Sequence, residues 1–194
     1  QVSSRKGKIS CVVQHSAYTS TASKNLFTVT IYKDAQNMLN LGTYEGQEGE
    51  LCALFTTRVN NVYAIKSLPV MAGFDPLAAN RFEITWDLDT GNVTMYINGR
   101  RWVNHTSIAL IDSCTSITFG SGSAAFPLYL SDLSIAPDES YADDFATDTT
   151  ERYQPVLGTV AYDGTNKRMN VTTATGANGK ASGRLKSYKF REGS

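Results

Sequence analysis

The segment Phe82–Gly99 restricts the fold of this chain more than any other. Phe82, Ile84, Trp86 and Leu88 alternate with Glu83, Thr85 and Asp87. Period two of this kind puts one apolar and one polar face on an extended strand. Asp89-Thr90-Gly91 supplies a turn whose glycine tolerates positive φ, after which Val93, Met95 and Ile97 alternate with Thr94 and Tyr96. Asn98-Gly99 follows, a strong hairpin signal because a type I′ turn needs positive φ at both central residues. Two half-buried strands and two tight turns within eighteen residues call for a second apolar layer to cover them.

The rest of the chain repeats the pattern. Short runs rich in Val, Ile, Thr, Tyr and Phe predict strands over 8–14, 26–33, 38–44, 50–57, 62–68, 81–88, 92–97, 116–119 and 128–135, and again over 158–162, 168–172 and 183–190. Turn residues separate them, among them Lys33–Asn37, Glu45–Gly49, Asn60-Asn61 and Asp163-Gly164. Evenly spaced strands with frequent turns predict an all-β chain, a sandwich or barrel. One helical turn is expected at Pro76–Asn80, capped by Asp75. The acidic, polar stretch 137–144 reads as a linker or crossing segment between a main body, 1–136, and C-terminal strands, 145–194. Residues 172–180, with Gly176 and Asn178-Gly179, form the most loop-like part of the chain.

Charge excludes some functions. Eighteen basic residues balance eighteen acidic ones with no long run of either sign, unlike a nucleic-acid binder. No apolar stretch approaches a membrane helix, so no membrane insertion is expected. The basic start Gln1–Lys8 has no apolar stretch behind it, which is not a signal-peptide pattern; without a Met at position 1, a processed chain or an internal piece is expected. Cys11, Cys52 and Cys114 are far apart and form no CxxC pair, which argues against zinc. Three buried thiols are expected, with one disulfide plus a leftover thiol as the alternative.

Phe82–Gly99, followed by Ser116-Ile-Thr-Phe-Gly120 and Pro127-Leu-Tyr-Leu-Ser-Asp-Leu-Ser-Ile135, resembles the concanavalin A-like lectin/glucanase superfamily, and within it the laminin-G-like jelly roll. The shared pattern is a Trp-Asp strand, a Thr-Gly turn, a Tyr-x-Asn-Gly hairpin, an Ile-x-x-Gly strand and a closing strand carrying an Asp. The resemblance implies a two-sheet antiparallel sandwich. It is weak for function, because the fold hosts lectins, hydrolases, adhesion modules and virion proteins. The order of the pieces departs from the family. A Phe-x-x-Asp opening appears after the closing strand, at Asp144-Phe-Ala-Thr-Asp148, so that 143–194 followed by 8–136 reads in the familiar order. Three arrangements follow: a circularly permuted sandwich, a C-terminal arm that completes a neighbouring subunit, or a separate small β unit.

Little catalytic chemistry is visible. Glucanases of this fold carry a Glu-x-Asp-x-x-Glu strand; here Glu83-Ile-Thr-Trp-Asp87 has Thr85 in the middle place. Residues four apart on a strand lie about 13 Å apart, beyond the roughly 5–9.5 Å of a glycosidase pair, so Glu83 and Asp87 read as a solvated strand face. Gly120-Ser-Gly-Ser123 reads as a loop rather than a nucleophile elbow, and His15 and His105 lack metal-site spacing. No enzyme activity and no cofactor are expected. Hard oxygens at Asp87, Asp89, Glu45, Glu48 and Glu50 leave calcium open, without the spacing of a calcium loop. Sequons at Asn92, Asn104 and Asn170 read as chance in a Thr-rich chain.

Sugar binding needs exposed aromatics with amides nearby. The candidates are Tyr18, Tyr44, Arg58, Asn60, Tyr63 and Trp102, with Asn61 beside Asn60. The chain therefore reads as a non-catalytic structural or binding module. The expectation is a virion or surface-assembly protein, such as a capsid decoration or tail component, with a glycan-binding or adhesion role; a stand-alone lectin-like module is the alternative. The expected partners are glycans or further subunits in a homo-oligomer or lattice, at an extracellular or virion surface.

Overall fold

The computed structural model describes residues 6–20, 23–105, 116–121, 127–136, 141–143, 147–148, 153–157, 159–172 and 181–185, with backbone alone at 64–66, 136, 141–143, 153–157, 172 and 181–185. The strands are β1 (Lys6–His15), β2 (Lys24–Tyr32), β3 (Met38–Glu45), β4 (Leu51–Val59), β5 (Val62–Ser67), β6 (Asn80–Asp87), β7 (Asn92–Ile97), β8 (Arg100–His105), β9 (Ser116–Ser121), β10 (Leu128–Ala136), β11 (Tyr141–Asp143), β12 (Tyr153–Leu157), β13 (Thr159–Asp163), β14 (Arg168–Thr172) and β15 (Ala181–Leu185). They form two antiparallel sheets. An eight-stranded sheet runs β13-β14-β10-β1-β6-β7-β8, with β11 pairing β10, and a seven-stranded sheet runs β12-β15-β9-β2-β3-β4-β5.

The central strands bury alternate residues between the sheets. Ile9, Cys11, Val13, Phe82, Ile84, Trp86, Val93, Met95 and Ile97 come from the first sheet, and Phe27, Val29, Ile31, Leu39, Leu41, Phe55, Ile117 and Phe119 from the second. Full burial of each large apolar side chain contributes about 1.5–3 kcal/mol before entropy is subtracted. Phe27 and Phe82 meet edge to face across the gap, their centroids 4.9 Å apart. Asn98 and Gly99 take φ of 52° and 77°, as the hairpin requires.

The strands of 153–185 pair within the chain and do so in both sheets: β14 lies beside β10, and β15 beside β9. Within the stretch 137–144, Tyr141–Asp143 pairs with Leu133–Ile135 of β10. Phe145 and the loop 173–180 lie outside the described residues. Strand β8 is absent from the sequence-based expectation because Arg-Arg-Trp-Val-Asn-His does not alternate; a register shift opposite Met95 and Tyr96 leaves Trp102 as the extra residue. The expected helical turn at Pro76–Asn80 is a plain turn, in which Asp75 Oδ1 accepts from the Leu77 amide at 2.9 Å. Among the described residues no helix is long and apolar enough to cross a membrane.

Three bulges besides that of β8 bear on which face a residue takes. In β10, Leu128 and Leu130 are buried at even positions and Leu133 and Ile135 at odd ones. The register against β1 shifts between them, and Asp132 takes φ of 50°. A bulge adds one residue to one strand and so reverses the parity of everything beyond it. The other two bulges, in β2 and β5, build the site.

Candidate groove on the outer face of the seven-stranded sheet

The polar parity of β3 and β4 sends Asn40, Tyr44, Leu54 and Thr56 away from the core side chains Leu39, Leu41, Ala53 and Phe55. Leu54 is 4 % exposed yet is not part of the central core, so it forms an apolar floor on the outer face. Asn25 and Tyr63 join these four around a cavity of about 300 Å³.

Neither Asn25 nor Tyr63 would stand there on a regular strand. Asn25 has the parity of Phe27, Val29 and Ile31, which are all buried in the core. The register places Asn25 opposite Tyr44 and Phe27 opposite Thr43, so Leu26 is the extra residue and Asn25 turns outward. Likewise Ile65 pairs with Thr57 and Tyr63 with Arg58, which leaves Ala64 as the extra residue and sets Tyr63 on the face of Arg58. Tyr63 is 69 % exposed.

The groove is neutral and amphipathic. Thr30 Oγ1 donates to Asn40 Oδ1 at 3.1 Å, which holds the amide in place and leaves its Nδ2 donors to the groove. Among the described residues the side chains of Asn25 and Thr56 and the Tyr63 hydroxyl make no hydrogen bond, so donors and acceptors ring an apolar floor. Among the described residues the lining contains no carboxylate, imidazole, thiol or cation.

Of the six candidates read from the sequence, Tyr44 and Tyr63 line the groove. Arg58 stands opposite Tyr63, but its Nη2 donates to Ala35 O at 2.9 Å and ties the β4–β5 end to the β2–β3 turn. Asn60 lies in the adjoining turn with φ of 49°, and its amide donates to Asn37 Oδ1 at 2.9 Å. Asn61 donates its amide to Gln36 O at 3.1 Å in the same junction. Tyr18 is elsewhere: its hydroxyl donates to Glu45 Oε1 at 3.0 Å, and burial together with that carboxylate pushes the phenol up to about 12. Trp102 belongs to the other sheet, packed at the edge of the core with the Arg100 guanidinium 4.0 Å over its ring. The sequence analysis did not single out Asn40 and Thr56, although strand parity sets both on the outward face. Asn25 was not, because no local signal marks the bulge.

The carboxylates weighed for catalysis or calcium are engaged by partners within the fold. Lys8 Nζ lies 3.5 Å from Glu83, while Lys6 Nζ lies 3.2 Å from Asp87 and 3.5 Å from Asp89, all on the eight-stranded sheet or its turn. Glu45 is buried beneath Tyr18, and Glu50 Oε2 accepts from the Glu48 amide at 3.0 Å. Among the described residues no three His, Cys, Asp or Glu side chains gather as a metal site. Cys11 and Cys52 are buried free thiols, and Cys114 lies outside the described residues. Gly120 and Ser121, read as part of a loop, are instead the last residues of β9, and residues 122–126 lie outside the described residues.

No protein-family model and no curated protein matches the chain. Solved structures do. Scytalido-glutamic peptidase with a transition-state analogue superposes at a TM-score of 0.53 with 11% identity, covering 89% of this chain and 95% of the peptidase. A homodimeric agglutinin, CG-16 from chicken liver, gives 0.51 with 12% identity, covering 70% of this chain and 96% of the agglutinin. At such identities the likeness is one of fold. The chain is an all-β, two-sheet antiparallel jelly roll of the concanavalin A-like class.

Proposed function

We propose that this protein is a non-catalytic glycan-binding module, and that the groove between Tyr44 and Tyr63 is its site. The carrying observation is the lining itself: two tyrosines, two amides and a threonine around an apolar floor, with no charged side chain among the described residues. A sugar ring presents the complementary surface, with C–H groups for the tyrosine faces and hydroxyls for the amides. Among the described lining residues no carboxylate, imidazole or thiol stands ready for catalysis, which supports the reading of binding without turnover. A module of this kind meets its ligands outside the cell or on a displayed surface. The assembly reading, a virion or surface brick that forms homo-oligomers, has its support in the sequence alone.

Titration of the protein with neutral oligosaccharides, followed by calorimetry and tyrosine fluorescence, tests the reading. Saturable binding is expected. Tyr44→Ala should weaken it at least about tenfold, close to 1.4 kcal/mol, with the melting temperature nearly unchanged. No heat and no fluorescence change at millimolar sugar would retire the proposal.

A further inference from the structure

The groove is longer than one sugar ring needs. Tyr44 stands opposite Cys52 on β4, and Tyr63 stands opposite Arg58 on the same strand. Cys52 and Arg58 are six residues apart, roughly 20 Å along the strand, and β3 and β5 flank β4 at about 4.8 Å on either side. The two tyrosines thus mark opposite ends of a diagonal track, with Asn40 and Thr56 paired across β3 and β4 between them. Asn25, turned outward by its bulge, stands beside Tyr44 at one end. Along this track the polar groups recur at intervals, as the hydroxyls of a polymer do.

We infer that the ligand is an extended, linear, uncharged oligosaccharide that runs diagonally across β3, β4 and β5, with Tyr44 and Tyr63 as separate stacking platforms for sugar rings at its two ends. This rests on the glycan-binding reading above and adds a length and a charge to it. Neutrality follows from the described lining, and Arg58, at the Tyr63 end, has its Nη2 turned to the Ala35 carbonyl. The division of labour follows from position. Tyr44 stacks on the ring that enters the amide-lined end, beside Asn25. Tyr63, on the terminal strand β5, is reached only by a chain long enough to cross β4.

The test is a chain-length series of cello-, malto-, xylo- and manno-oligosaccharides from one to six units, titrated calorimetrically into wild type, Tyr44→Ala, Tyr63→Ala and Tyr63→Phe. Affinity in the series that binds should rise at least tenfold from the shortest to the longer members and then level off. Tyr63→Ala should remove that rise, bringing the longer members down to the affinity of the shortest. Tyr63→Phe should retain it, and Tyr44→Ala should weaken every length. Tyr63 is 69 % exposed, so its truncation leaves the fold intact, which circular dichroism checks. Equal affinity for one unit and six units would overturn the extended track while leaving the glycan site standing. Tighter binding of uronic-acid oligomers than of the neutral series would overturn the neutral assignment. Failure of every saccharide to bind would overturn both this inference and the function beneath it.

Discussion

Gly42 lies against the carbonyl of Phe27 so closely that a Cβ on Gly42 would fall inside the carbonyl oxygen. Gly42 takes φ of +152° and pairs with Thr28, just past the bulge that turns Asn25 into the groove. The bulged β2 backbone occupies the space a side chain on β3 would need. Gly42 is therefore what allows Asn25 and Phe27, two residues apart, to face opposite sides of one sheet.

Gly42→Ala is expected to destabilise the fold by about 3 kcal/mol, since the obstructing atoms are backbone and cannot rotate away. Gly73→Ala is the comparison, because Gly73 also has positive φ, 76°, but nothing within 4 Å of its missing Cβ. It should cost only about 1 kcal/mol, the conformational part. Urea denaturation of both variants checks the difference; equal losses would show that close approach to Phe27 is not the cause.

Gly7 and Trp86 are direct partners in the β1–β6 ladder, and the indole covers the place where a Gly7 side chain would sit. Trp86 is 2 % exposed and packed in the core, so it cannot swing out. Gly7→Ala should cost about 1–3 kcal/mol by overpacking. In a Trp86→Phe background the same change should cost less, because the smaller ring leaves room for the methyl. A double-mutant cycle measures the coupling, and strict additivity would rule out the contact as its origin.

Cys11 sits in the core with no exposed surface, and burial pushes its thiol up to about 12. Both access and thiolate are denied to an alkylating reagent. Under native conditions at mildly alkaline pH, iodoacetamide should leave Cys11 unmodified, with labelling appearing only as denaturant unfolds the chain. Peptide mass spectrometry reads this directly; prompt native labelling of Cys11 would contradict its placement between the sheets.

Acid should weaken the β13–β14 hairpin. The Asn166 side chain and amide and the Arg168 guanidinium, 3.0 Å away, hold the Asp163 carboxyl below its ordinary value of 3.8. A carboxyl lowered in the folded state favours folding fully above the unfolded value, and this contribution disappears as pH falls through the lower folded value. Asp163→Asn should therefore show a shallower loss of stability than wild type below about pH 4 and lower stability than wild type above it. Urea midpoints taken across that range check both limbs; superimposable profiles would mean that the carboxylate contributes nothing.

The alternation of Phe82–Ile97 and the Asn98-Gly99 turn were legible because both are local: a strand face needs only period two, and a type I′ turn needs only two residues that accept positive φ. With the other short strands they were enough to specify an all-β sandwich or barrel, and the family resemblance pointed to the sandwich. The sequence also marked Tyr44 and Tyr63 as aromatics outside the core, but it could not separate them from Tyr18, which is tied to Glu45, or from Trp102, which is packed under Arg100. Those fates depend on partners far away in the chain. Parity alone would have sent Asn25 into the core with Phe27. Whether a strand bulges is decided by the ladder it joins and by what its neighbour leaves room for, here Gly42 on β3. Tertiary pairing therefore selected the groove, because one extra residue in β2 and one in β5 reversed the faces that the sequence pattern assigns.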